Sequence, residues 1–122
     1  MKEAPEVRKE RQSIEEWQFC EVLRRAGNTV DAEVNVTPER KWRVDYLIYS
    51  RWARVRIALE IQGWGFGHVG RAGWLRDIEK AQAIAANGWL YVPVTRDQVA
   101  DGTALEALAR CGIQVEAPVA GR

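Results

Sequence analysis

The sequence predicts an α/β fold, a mixed sheet flanked by helices, because two kinds of periodicity follow one another along the chain. Apolar residues that recur every three or four positions predict helices, and apolar residues that alternate with polar ones predict strands. The resulting order is α-β-β-β-α-β-α. Strands joined by a hairpin run antiparallel, whereas a strand reached through a helix can run parallel to its neighbour. We therefore expect a mixed sheet.

The first predicted helix begins at Ser13, where Ser13 and Glu16 have the spacing of a capping box. Gly27 is expected to end it. Residues 1–12 are polar and are expected to form a flexible segment. At 122 residues, the chain then leaves residues 13–122 as a single domain.

Three strands are predicted next: AEVNV, then KWRVDYLIY and RVRIALEIQ on either side of a turn around SRWA. A glycine-rich loop, GWGFGHVGRAG, leads into a second helix, WLRDIEKAQAIAANG. A buried strand, WLYVPV, follows, and its Pro93 favours a sheet edge or a bulge. The last predicted helix is DGTALEALARCG, and IQVEAPV is left as a short strand or a tail.

Composition limits the classes of function. The apolar share of 47% is enough for one sizeable core, and 18 basic residues against 17 acidic ones favour no particular charged partner. Cys20 and Cys111 are predicted to be buried free thiols, and with a single histidine they cannot form a thiolate zinc site. The charged N-terminus and the lack of a long apolar run predict no membrane segment and a cytoplasmic location, in the host if the protein comes from a phage.

Asp45 and Glu60 each interrupt one of the most apolar stretches of the chain. If their strands form a hairpin, both side chains lie on the same face, roughly 5–8 Å apart at Cβ. Two such anions repel each other unless a cation or a proton lies between them. Oxygen ligands without cysteine favour Mg²⁺ or Mn²⁺ over zinc. The alternative is that both are solvated residues on the outer face of a half-exposed sheet.

Several short motifs together resemble the PD-(D/E)XK superfamily of nucleases, and in particular small phage and bacterial endonuclease domains. They are WRVD, a hydrophobic run ending in LEIQG, GFGHVGRAG, DIEK and AANGW. Each motif is weak alone, but as a set they extend the resemblance over roughly residues 16–95. The resemblance implies a restriction-endonuclease-like core of order αβββαβ, in agreement with the order predicted from periodicity.

The resemblance also implies a catalytic site. Asp45 and Glu60 become metal ligands together with the carbonyl of Ile61, and Mg²⁺ becomes the cofactor, with Mn²⁺ as a substitute. Glu16 matches an additional carboxylate of the first helix, with Glu15 as the fallback. The departure is Gln62, which stands where the family usually has lysine. Lys80 of DIEK would supply that lysine from the second helix, or else it is a solvated residue paired with Asp77.

The glycine-rich loop and the basic residues near Asp45 are candidate DNA contacts. His68 and Arg71 match the family's loop pattern and could hold the DNA backbone, and Trp64 could stack or pack on the core. Further basic residues could add a patch that contacts phosphates: Arg40, Lys41 and Arg43 beside the first acidic strand, and Arg51, Arg54 and Arg56 in the hairpin. The alternative is that an arginine-rich exposed strand only prevents pairing at the edge of the sheet.

These expectations describe a Mg²⁺-dependent endodeoxyribonuclease. The compact chain favours a structure-selective enzyme that acts on branched DNA, as a homodimeric Holliday junction resolvase does. The alternative, motivated by Gln62, is a catalytically degenerate nuclease fold that serves as a DNA-binding module. An RNA substrate is also compatible with residues that contact only phosphates.

Overall fold

The computed structural model describes residues 5–38, 42–52, 54–62 and 70–116, with side chains from residue 14 onward. The elements follow the order α1 (Pro5–Arg25), β1 (Thr29–Asn35), β2 (Arg43–Tyr49), β3 (Ile57–Gln62), α2 (Arg71–Ala86), β4 (Leu90–Thr95), α3 (Arg96–Asp101) and α4 (Thr103–Arg110). The predicted α/β fold is therefore confirmed.

The four strands form one mixed sheet in the order β1-β2-β3-β4. The pairs β1–β2 and β2–β3 are antiparallel, whereas β4 runs parallel to β3 after the crossover through α2. Pro93 lies on β4 at the edge of this sheet, where the missing N–H of proline is tolerated. The mixed sheet and the edge position of Pro93 agree with the sequence prediction.

Apolar side chains cover both faces of the sheet, so the chain builds two clusters where the composition suggested one core. The larger cluster joins α1 and α4 to the sheet through residues such as Leu23, Ile48 and Leu108. The second joins α2 to the opposite face through Ile84, Leu47 and Ala58. Because α2 covers the second face, the side chains there are shielded from full exposure.

The helices differ from the prediction in two places. Helix α1 begins at Pro5, so Ser13 lies inside it instead of capping it. Proline is well suited to a first helical turn, because its fixed φ is already helical. Helix α3 was not predicted, although Thr95 and Gln98 form its capping box. Residues 113–116 after α4 form no strand, which agrees with the second of the two predicted alternatives, a tail.

The remaining fold predictions concern the thiols and the tryptophans. Cys20 and Cys111 are both free; Cys20 is buried and Cys111 is half-buried. Trp89 is buried and Trp42 is half-buried, both in the α2 cluster, as predicted. No helix among the described residues is both long enough and apolar enough to cross a membrane.

Candidate functional site

Asp45 and Glu60 lie at facing positions on neighbouring strands. The β2–β3 ladder pairs Tyr46 with Leu59, and the same register places Asp45 opposite Glu60. The Asp45 carboxylate accepts a hydrogen bond from the backbone N–H of Ile61, with 2.7 Å between Oδ2 and N. This bond brings the Asp45 carboxylate to the peptide unit between Glu60 and Ile61, as the alternation of the two strands predicts.

Glu60 bonds to three side chains among the described residues. The Lys80 ammonium of α2 forms an ion pair with Oε1, and the Tyr91 hydroxyl of β4 donates to Oε2. Gln62 donates to the same Oε2 from 3.5 Å. The Glu60 and Lys80 side chains are only 21% and 17% exposed, so this is not a solvated outer face. The ion pair instead lies partly buried between the sheet and α2.

Asp45 is less well compensated than Glu60. Burial raises the pKa of its carboxyl above the ordinary value, and the Ile61 N–H opposes that rise. The neighbouring Glu60 and Glu16 carboxylates raise the pKa further, while Lys80 lowers it slightly. The raised pKa means that the charged form of Asp45 is poorly stabilised, so a cation bound beside it would stabilise that form.

Glu16 lies on the α1 side of the sheet. Its Oε1 accepts a hydrogen bond from the Tyr46 hydroxyl at 2.6 Å, and its Oε2 lies 3.8 Å from the Arg96 guanidinium. Tyr46 packs in the α1 cluster, away from the face that carries Lys80. Glu16 is therefore close enough to influence Asp45 but is held by partners of its own.

The described residues contain no group of three or more His, Cys, Asp or Glu side chains that could hold a metal ion. The oxygen ligands that the structure brings together here are the carboxylates of Asp45 and Glu60, beside the peptide unit of Ile61. Such a small set of oxygen donors suits Mg²⁺, which keeps several waters and binds through one or two carboxylates. It does not suit a closed structural zinc site.

The backbone of β1 is distorted next to the site. The β1–β2 ladder pairs Ala32 with Tyr46 and Val34 with Val44 but omits Glu33, whose φ is +50°. A positive φ is uncommon for a residue with a side chain, and such residues concentrate where structure is locally constrained. The omitted position faces Asp45 in the register of the ladder. Regular pairing therefore breaks beside the first candidate ligand.

The other sequence candidates have varied surroundings. Arg43 is exposed, and its guanidinium donates to the Glu33 carbonyl at 3.2 Å and lies 3.9 Å from the Glu33 carboxylate. Arg71 is exposed at the start of α2. Arg40, Lys41, Trp64 and His68 lie outside the described residues.

Tyr91, Tyr46 and Arg96 contact the candidate carboxylates but were not identified from the sequence. Tyr91 pairs in parallel with Ala58, two positions before Glu60, so both side chains lie on the α2 face. Burial raises the pKa of the Tyr91 hydroxyl, which keeps it protonated and able to donate to Glu60. The only local signal was a tyrosine inside the apolar run WLYVPV.

No family model, curated protein or solved structure matches the chain. The arrangement must therefore be interpreted from its own chemistry.

Proposed function

We propose that the chain is a Mg²⁺-dependent endodeoxyribonuclease of the PD-(D/E)XK type, with its site formed by Asp45, Glu60 and Lys80. The observation that carries the proposal is the convergence of two carboxylates from β2 and β3 with one ammonium from α2, in a partly buried position. Hydrolysis of a phosphodiester needs these two elements, anionic ligands for a metal and a cation for the developing negative charge.

In this proposal, Asp45, Glu60 and the carbonyl of Ile61 hold the metal. A carboxylate has about four lone-pair positions, so Glu60 can keep Tyr91 and Lys80 as partners and still bind a cation. Bound Mg²⁺ would lower the pKa of a coordinated water and neutralise charge in the transition state. Tyr91 and the Ile61 N–H would keep the two carboxylates in fixed orientations.

In this proposal, Lys80 supplies the positive charge that the E-x-K pattern places at position 62, where this chain has glutamine. An ammonium has three donors, so Lys80 can bond to Glu60 and still donate to a phosphate oxygen or to the attacking water. Gln62 is within reach of the same carboxylate at 3.5 Å but is neutral. The positive charge at the site thus comes from α2.

The proposed substrate is DNA, branched or duplex, and the proposed assembly is a homodimer that presents two sites to one branched molecule. Both extend the nuclease proposal by the resemblance stated above. The exposed Arg71 at the start of α2 is a candidate phosphate contact.

The test is cleavage of a four-way junction, a flap, a nicked duplex and a linear duplex with Mg²⁺ or Mn²⁺. We expect Asp45→Asn and Glu60→Gln each to reduce the rate by about 100-fold or more, and Lys80→Met to reduce it by a similar factor. Glu79→Gln is the matched control, since Glu79 is exposed beside Lys80 on α2. It should cleave like the wild type.

Cleavage that survives both Asp45→Asn and Glu60→Gln would refute the site. Binding of DNA by the wild type without cleavage in either metal would favour the second candidate function, a DNA-binding module. The neutral Gln62 beside Glu60 is the observation that favours this second candidate.

A further inference from the structure

The turn between β2 and β3 exposes an unusual combination of side chains. Trp52 is 78% exposed, more than any other large apolar side chain among the described residues. The Arg51 guanidinium lies over its ring, 4.5 Å from the centroid. Arg54, on the far side of the same turn, is also exposed. The turn thus presents an exposed tryptophan stacked under Arg51, with the exposed Arg54 two positions further along the chain.

Within the part of the chain that the structure describes, Trp52 differs from its neighbour Arg56, which packs on the core. The Arg56 guanidinium lies 4.0 Å from the centroid of the Trp89 ring and thereby covers the buried α2 cluster. Trp52 contributes to neither apolar cluster. Leaving an indole in water forgoes the free energy of its burial, so the position of Trp52 points to a binding partner.

Charge is divided between the two ends of the β2–β3 hairpin. The carboxylates Asp45 and Glu60 lie at one end, and Arg51 and Arg54 lie at the other, although the whole chain carries a net charge of only +1. Exposed arginines attract phosphates, and an exposed indole offers a flat face on which a nucleic-acid base can stack. The tip is therefore suited to a polyanion with flat groups that can stack.

We infer that the turn containing Arg51, Trp52 and Arg54 binds unpaired bases of a nucleic acid. The indole stacks on a base while the two guanidiniums contact flanking phosphates, a combination typical of single-strand binding. This inference rests on the proposed function and narrows its substrate to DNA with an unpaired segment. From Glu60 to Arg54 an extended chain spans at most about 20 Å, and this length equals about six nucleotides of one duplex strand. The unpaired segment should begin about that far from the phosphate that is cut.

The test measures binding separately from cleavage. Fluorescence anisotropy in EDTA compares a short single strand, a duplex with a single-stranded overhang and a blunt duplex. The variants are Trp52→Ala, Trp52→Phe and the double variant Arg51→Gln/Arg54→Gln. Trp17→Ala is the matched control, because Trp17 is also largely exposed, at 59%, but lies on α1.

We expect Trp52→Ala to weaken binding of the single strand and the overhang by about 10-fold, and Trp52→Phe to retain most of the affinity. The blunt duplex should bind Trp52→Ala like the wild type. The double arginine variant should reduce the slope of log K against log salt by about 1.4 on a single strand. Trp17→Ala should bind every substrate normally.

Unchanged affinity of Trp52→Ala for the single strand, or an equal loss for all three substrates, would overturn this inference and leave the proposed nuclease untouched. Binding that depends on Trp52 without any cleavage in Mg²⁺ would overturn the nuclease and leave the stacking surface in place. A wild type that binds none of the three substrates would overturn the stacking surface, and the cleavage assay would decide separately on the nuclease.

Discussion

Replacing Asp45 and Glu60 by their amides is expected to change the free energy of unfolding in opposite directions. Glu60 bonds to Lys80, Tyr91 and Gln62. Asp45 accepts one hydrogen bond from Ile61, and burial raises the pKa of its carboxyl. The two carboxylates are neighbours, but among the described residues only Glu60 forms an ion pair with a cation.

Glu60→Gln should lower the free energy of unfolding. The amide can accept from either Lys80 or Tyr91, but its NH₂ group then faces the other donor. The Lys80 ammonium, 17% exposed, also loses its counter-charge. Breaking a fully buried pair costs about 3–5 kcal/mol, and a hydrogen bond to a charged group contributes about 1.5–3 kcal/mol. Because the pair is partly exposed, we expect a loss of about 2–4 kcal/mol.

Asp45→Asn should raise the free energy of unfolding at neutral pH. A folded-state pKa above the ordinary value of 3.8 means that Asp45 contributes most stability below that value, while it is protonated. That contribution is lost as the pH rises through the folded-state pKa. Asparagine can still accept the Ile61 hydrogen bond but carries no charge. The advantage of the variant should therefore shrink as the pH is lowered towards 3.8.

Urea denaturation in EDTA, at neutral and at acid pH, measures both effects. Glu79→Gln is the control and should stay within about 0.5 kcal/mol of the wild type. Equal destabilisation by Asp45→Asn and Glu60→Gln would refute the claim that the fold stabilises the charge of Glu60 better than that of Asp45. So would a gain from Asp45→Asn that is independent of pH.

Three further predictions concern the partners of the site and the thiols. Tyr91→Phe should lower the free energy of unfolding by about 1–2 kcal/mol in urea denaturation, since Glu60 loses a hydroxyl donor; an unchanged value would mean that this bond contributes nothing. Lys80→Met should bind Mn²⁺ more tightly in calorimetry, because the Lys80 ammonium no longer competes with the metal for the Glu60 carboxylate. Weaker binding would mean that Glu60 is not a metal ligand. A thiol reagent should modify Cys111 well before Cys20, which is 3% exposed and whose pKa is raised by burial; equal rates would contradict the packing of α1.

The sheet could be predicted from the sequence because strand periodicity and connection type determine most of it. The alternation around Asp45 and Glu60, together with a short turn, left few registers that bury Leu59 and Ile48. The local break at Glu33 could not be predicted, since nothing in its residue type requires a positive φ. Val44 and Tyr46 are two positions apart on β2, so regular alternation would place them on the same face. Next to the break, however, Val44 packs in the α2 cluster and Tyr46 in the α1 cluster.

The partners of Glu60 were harder to predict than Glu60 itself. Tyr91 reaches it only through the parallel register of β3 and β4, which is set by how α2 packs on the sheet. Lys80 came from the family resemblance; helical periodicity alone does not say which side of α2 faces the strands. Helix α3, which brings Arg96 to Glu16, had a signal in Thr95 and Gln98 that a short helix makes easy to overlook.

The position of Lys80 bears on how the departure at Gln62 should be judged. A lysine at position 62 would reach the site from the same strand as Glu60, whereas Lys80 reaches it from α2, through a long side chain with only 17% exposure. Electrostatic stabilisation depends on where the charge lies, not on which element carries it. The E-x-K pattern is broken because β3 carries Gln62 in place of a lysine, but Glu60 still has a cation beside it, the Lys80 ammonium. Under the proposed function, the distance between the Lys80 ammonium and a bound phosphate would matter more than the match to a linear motif.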